Sequence, residues 1–219
     1  MASPRKHKDE RPQPRLYLVT PAAADIGALK LDLLAALDSA DIAAVLLRLP
    51  DDDDRALTNR VKALAPAVQN FGAALILEGH PRLVARGGAD GAHLTGIADF
   101  EDAASTLKPD RIAGVGGLTT RHDAMLAAER GADYVMFGEA EDGGARPALD
   151  AIVDRVSWWA EVFEAPCVAY AANPDEVVTL ARAGADFIAV GDFIFSDPRG
   201  VARAISDVEE SLRLPEVAA

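Results

Sequence analysis

Glu78 and His80 stand two residues apart just after an apolar run, Ala73 to Leu77, and either can act as a general base on a proton-bearing substrate. Arg48 lies near the end of a second run, Ile42 to Leu49. Glu139 and Asp192 follow Tyr134 to Phe137 and Phe187 to Val190, and Tyr170 ends Cys167 to Tyr170. Taken together, Glu78, Glu139 and Asp192 with His80 and Tyr170 make an acidic, partly aromatic surround suited to a cationic or amine-bearing small heterocycle. His93, with Thr95 just beyond it, is either a hydrogen-bonded core histidine or a side chain facing that ligand.

Gly114-Val115-Gly116-Gly117-Leu118-Thr119-Thr120 passes from an apolar run to a helical pattern. Such glycines let backbone N–H groups approach an anion, and they equally make a tight turn with Thr119 or Thr120 as N-cap. Glu139 to Ala145 is an acidic, Gly-rich loop that either covers a ligand or chelates a cation, or is simply solvated. Asp51 to Asp54 precede a helical pattern and read as an N-cap and first-turn charges favourable to the helix dipole, ahead of a metal site. Among other enzyme signatures, no nucleophile elbow, phosphate loop or metal-spaced histidines occur.

These residues need elements to place them. Eight short apolar runs recur from Leu16 to Val190, and their near-continuous apolar character is that of strands covered on both faces. Between them, three-and-four spacing predicts helices over Ala28 to Leu37, Arg55 to Val68, Arg121 to Glu129, Leu149 to Phe163, Pro174 to Ala183 and Val201 to Leu212. A Gly-Ala-Asp triplet at Gly88, Gly131 and Gly184 marks three helix-to-strand turns, the Gly taking the left-handed conformation. Alternation of this kind predicts a single-domain α/β chain, a (β/α)8 TIM barrel over residues 15–219, with an open doubly wound sheet as the alternative. In such a barrel the chemistry sits at the carboxyl ends of the strands, where Arg48, Glu78, His93, Gly116, Glu139, Tyr170 and Asp192 fall.

The chain has 219 residues with a formal net charge of −13. That balance argues against nucleic acid and anionic membrane surfaces, which need a basic face. A single cysteine, Cys167, excludes an internal disulfide and fits a reducing cytoplasm. Residues 1–14 read as a disordered charged tail, and no apolar stretch is long enough to cross a bilayer. Trp158-Trp159 sends one ring inward and one outward, the outer ring either shielding the barrel or marking a homodimer contact.

In order, Leu16-Tyr17-Leu18-Val19-Thr20, Gly88-Ala89-Asp90-Gly91-Ala92-His93-Leu94, Pro109-Asp110 before Gly114-Val115, Gly131 to Gly138, and Asn173-Pro174 before Gly184-Ala185-Asp186 resemble the thiamin phosphate synthase and thiazole tautomerase family over about residues 15–195. The resemblance implies a (β/α)8 barrel and a transferase of thiamin biosynthesis. Its reaction joins a hydroxymethylpyrimidine pyrophosphate to a thiazole phosphate with Mg2+, through a pyrimidine carbocation, and expels pyrophosphate.

The resemblance thins at the residues that handle phosphate. Of the Gln-x-Arg-x-Lys pattern after the second strand only Arg48 is kept, and Asn-Asp after the third is Glu78-Gly79. Asp99 matches the second metal ligand with a one-residue shift. Thr119 alone keeps a hydroxyl where synthases have Ser-Thr-His-Ser, the loop from Glu139 to Ala145 has no Lys, and Asp192 falls where backbone amides would meet the thiazole phosphate. By resemblance, then, Arg48, Glu78, Thr119 and Asp99 with Mg2+ would carry a synthase reaction that is reduced or lost. A binding module for an amine-bearing ligand, or another enzyme using Glu78 or His80, are the alternatives.

Overall fold

Strand β1 (Arg15–Val19) leads into helix α1 (Ile26–Ser39), and the alternation continues through β2 (Ile42–Leu47), α2 (Asp54–Gln69), β3 (Ala74–Glu78), α3 (Pro81–Gly87), β4 (Gly91–Thr95) and α4 (Gly96–Leu107). The second half runs β5 (Ile112–Gly116), α5 (Arg121–Glu129), β6 (Tyr134–Phe137), α6 (Leu149–Val162), β7 (Cys167–Tyr170), α7 (Pro174–Arg182), β8 (Phe187–Val190), α8 (Asp192–Phe195) and α9 (Val201–Arg213). The computed structural model describes residues 12–139 and 146–213. Most of the expected tail, up to residue 11, and the acidic loop from residue 140 to 145 lie outside the described residues.

All eight strands are parallel, and β1 pairs with both β2 and β8, so the sheet closes into a (β/α)8 barrel. Closure, with Leu16 opposite Ile188 and Leu18 opposite Val190, excludes the open-sheet alternative. Helix α4 is not among the six helical patterns named from the sequence, and α3 and α8 are too short to show a period.

Successive strand residues face opposite ways. Leu16, Leu18, Val45, Leu47, Leu75 and Leu77 join the apolar layer under the helices, while Tyr17, Val19, Leu46, Ile76, Tyr134, Met136, Val168 and Ala189 fill the barrel interior. Trp159 is fully buried in the outer layer, stacked on Phe163 and donating to the Ala165 carbonyl at 2.7 Å. Trp158 packs less deeply, with the Arg121 guanidinium over its ring.

The Gly-Ala-Asp triplets explain part of the closure. Their glycines have φ of 80°, 88° and 99°, the left-handed region expected of them. Each Asp then accepts a backbone N–H at the start of the preceding strand: Asp90 from Leu75, Asp133 from Ala113 and Asp186 from Cys167, at 2.7 to 2.8 Å. Strands β3, β5 and β7 are thereby each stapled to the following strand at the barrel's amino end. Asp53 caps α2 through the Ala56 N–H, as the acidic run predicts.

Candidate active site at the carboxyl end of the barrel

The strand ends place two clusters at the mouth. In the first, the Arg48 amide donates to the buried Thr20 hydroxyl at 3.1 Å, which fixes where the side chain starts. Its guanidinium then bonds Glu78 at 3.1 Å and lies 4.0 Å from Asp192. Burial disfavours the Arg48 charge, but the facing Glu78 more than restores it, and its pKa sits above the ordinary arginine value. Tyr170 flanks this group: burial raises its phenol pKa and the Asp192 charge adds to that. Asp192 opens α8 and is mostly exposed.

The second cluster spans β4, β5 and the residue after Gly138. His93 is buried inside the barrel, its Nδ1 3.0 Å from the Tyr134 hydroxyl, which in turn meets the Tyr17 hydroxyl at 2.7 Å. Burial pushes both phenols well above the ordinary tyrosine value, so both stay protonated. On its other side His93 Nε2 lies 3.2 Å from Glu139 Oε1. The contact is at ion-pair distance but out of line for a hydrogen bond, leaving Nε2 without a hydrogen-bond partner among the described residues. A bare lone pair facing a carboxylate would be repulsive, so Nε2 carries a hydrogen.

Glu139 is unusual for a carboxylate so enclosed. Burial alone pushes its pKa up; the charge of His93, the Gly117 N–H and the more distant Arg48 outweigh that and hold it below the ordinary range. Glycines make the room. A Cβ on Gly116 would lie 1.7 Å from Glu139 Oε2 and 2.7 Å from His93 Nε2, and one on Gly114 would lie 1.9 Å from the Tyr134 ring.

Of the remaining sequence-derived candidates, Thr95 borders the second cluster, opposite Gly116 and with its methyl against Gly117, while the others stand apart. Thr119 is exposed and donates to Asp123 at 3.4 Å, while its neighbour Thr120 is the N-cap of α5 in a reciprocal capping box. Thr95 precedes α4, and Asp99 is exposed in that helix's first turn. His80 precedes α3 without capping it.

Several site residues were not anticipated. Tyr17 and Tyr134 read as strand filler, although a tyrosine inside a small barrel needs a partner for its hydroxyl. Arg146 donates to the Gly138 and Tyr170 carbonyls and forks onto Glu176 at 2.8 and 3.1 Å, tying the ends of β6 and β7 to α7. The signal was local: Asn173 followed three residues later by Glu176 is an N-cap pattern, and the Glu176 carboxylate accepts in return from the Ala172 N–H and the Asn173 side-chain amide.

Among the described residues no helix is long and apolar enough to cross a membrane. The family model described as thiamine monophosphate synthase matches residues 16–194. A thiamine-phosphate synthase of Rhodospirillum centenum is 42% identical over 203 residues, covering 91% of this chain and 98% of that protein. One from Hyphomonas neptunium is 34% identical over 204 residues, covering 89% and 92%. The thiamine phosphate pyrophosphorylase structure from Pyrococcus furiosus superposes with a TM-score of 0.76 at 21% identity, over 91% of this chain and 96% of that one, a likeness of fold. From its first strand to its eighth, the chain belongs to the thiamine monophosphate synthase family.

Proposed function

We propose that this chain is a synthase-type barrel in which condensation of the pyrimidine and thiazole halves is reduced or lost, and that its mouth takes a small heterocycle with a cationic or amine group and no phosphate. The carrying observation is the state of Arg48, the one arginine in the two mouth clusters: Glu78 holds it, Asp192 faces it, and Glu139 lies within reach of its charge. Two carboxylates on one cation, with a third farther off but within reach of its charge, oppose a pyrophosphate, since like charges brought together out of water repel strongly. The same carboxylates favour an amine N–H or a ring cation, with Tyr170 as an aromatic wall.

The Mg2+ of the family reaction would have to find its ligands among Asp99 and Glu78. Asp99 is exposed on α4, and Glu78 is engaged by Arg48, so a Mg2+ on these two would have to draw Glu78 from its arginine. These residues do not fit a resident Mg2+. The chain's own groups then act by binding: Glu78 and Asp192 accept from the ligand's amine, and Arg48 keeps the two carboxylates in place. Calorimetric titration with thiamin and with thiamin phosphate tests this reading. Tighter binding of thiamin supports it; tighter binding of the phosphorylated form overturns it.

A further inference from the structure

Of the three carboxylates Glu78, Glu139 and Asp192 at the mouth, Glu139 is the one against the barrel interior, beside the buried His93. Its oxygens lie against the gap left by Gly116, beside His93 Nε2, and the Gly117 amide is near enough to help hold its pKa down. A ring N–H at ion-pair distance, a nearby backbone amide and a side-chain-free floor suit a small oxyanion, and here the chain supplies the anion itself. The seat is built. His93 is 1% exposed, and its ring is fixed from behind by Tyr134, which Tyr17 fixes in turn. The fit is also imperfect, because Nε2 misses hydrogen-bond alignment with the carboxylate that faces it.

We propose that the Glu139 carboxylate is an internal plug, an intramolecular anion occupying a seat made by His93 Nε2, the Gly117 amide and the bare edge of Gly116, and that a free oxyanion of phosphate type enters only when this carboxylate is removed. A tethered carboxylate is present at high effective concentration, so a free anion must displace it and also meet its charge. Glu139 also lies within reach of the Arg48 charge, but the plug rests on its contact with His93 and Gly116, and its test uses anion binding without turnover or thiamin. Its failure therefore leaves the proposed function standing, and the reverse also holds.

The experiment compares the full chain with Glu139→Ala and Glu139→Gln, titrated with inorganic phosphate and followed by calorimetry and by the Gly117 amide NMR shift. Glu139→Ala should bind phosphate roughly tenfold or more tightly than the unaltered chain, with the Gly117 amide moving on titration. Adding His93→Ala to that variant should abolish the gain. Glu139→Gln keeps the volume and removes the charge, so it serves if the smaller residue fails to fold, and it should show a lesser gain in the same direction. Phosphate affinity equal to that of the unaltered chain in a folded variant, or a gain that survives loss of His93, overturns the proposal.

Discussion

The Tyr17 and Tyr134 hydroxyls meet at 2.7 Å in the barrel interior, from strands 117 residues apart in sequence. Tyr134 is thereby placed to reach His93, and the polar line continues to Glu139 at the mouth. A buried chain of this kind is costly to break at its centre, since each end is left without a partner.

Tyr134→Phe removes the shared hydroxyl and strands both the Tyr17 hydroxyl and His93 Nδ1. We expect a loss of about 1–3 kcal/mol of stability, read by urea unfolding. Tyr17→Phe should cost less, because His93 keeps its partner. Equal losses would show that the line is not organised around Tyr134.

Gly116→Ala places a methyl where Glu139 Oε2 lies. The strand is fixed on both sides, so the carboxylate must leave. The variant should lose about 1–3 kcal/mol, the cost of overpacking, and its Glu139 should titrate closer to an ordinary glutamate. An unchanged midpoint and titration would contradict the described packing.

The Asp186 carboxylate accepts the Cys167 N–H at 2.8 Å and holds β7 against the turn into β8. Asp186→Ala leaves that donor without this partner and should cost about 1–3 kcal/mol. By comparison, the exposed Asp38→Ala on α1 should stay within about 0.5 kcal/mol. Denaturant midpoints of the two variants check the difference.

Of the fold, the strands, six of the helices and the direction of the chain were legible, because parallel strands buried on both faces leave unbroken apolar runs and the Gly-Ala-Asp triplets mark turns. The role of each Asp was not, since a hydrogen bond to Leu75, Ala113 or Cys167 depends on which strands become neighbours. The mouth was legible in part. Position at a strand end picked out Arg48, Glu78, His93, Glu139, Tyr170 and Asp192, whereas their division into two clusters depends on side-chain direction. Thr119 and Asp99 share the same loops yet take part in none of these contacts, and Thr95 reaches only the Gly117 edge.

Acid sensitivity follows from Glu139. Its pKa in the folded chain is depressed, so its contribution to stability is fully present above the unfolded value of roughly 4.3 and is lost as pH falls through the lower folded value. Glu139→Gln should therefore flatten the acid limb of the stability profile below about pH 4.3. Parallel curves for the two proteins, measured by unfolding midpoints across that window, would remove Glu139 from the account.

The acidic mouth is tested most directly by turnover. Purified protein is given hydroxymethylpyrimidine pyrophosphate, thiazole phosphate and Mg2+, with the Rhodospirillum centenum relative and an authenticated synthase assayed beside it. Thiamin phosphate should form more slowly than with the authenticated synthase by roughly a hundredfold or more, the scale of losing a single electrostatic contact to the reacting charge. Formation within tenfold of that control would contradict it, and would mean that Arg48 leaves Glu78 to meet pyrophosphate.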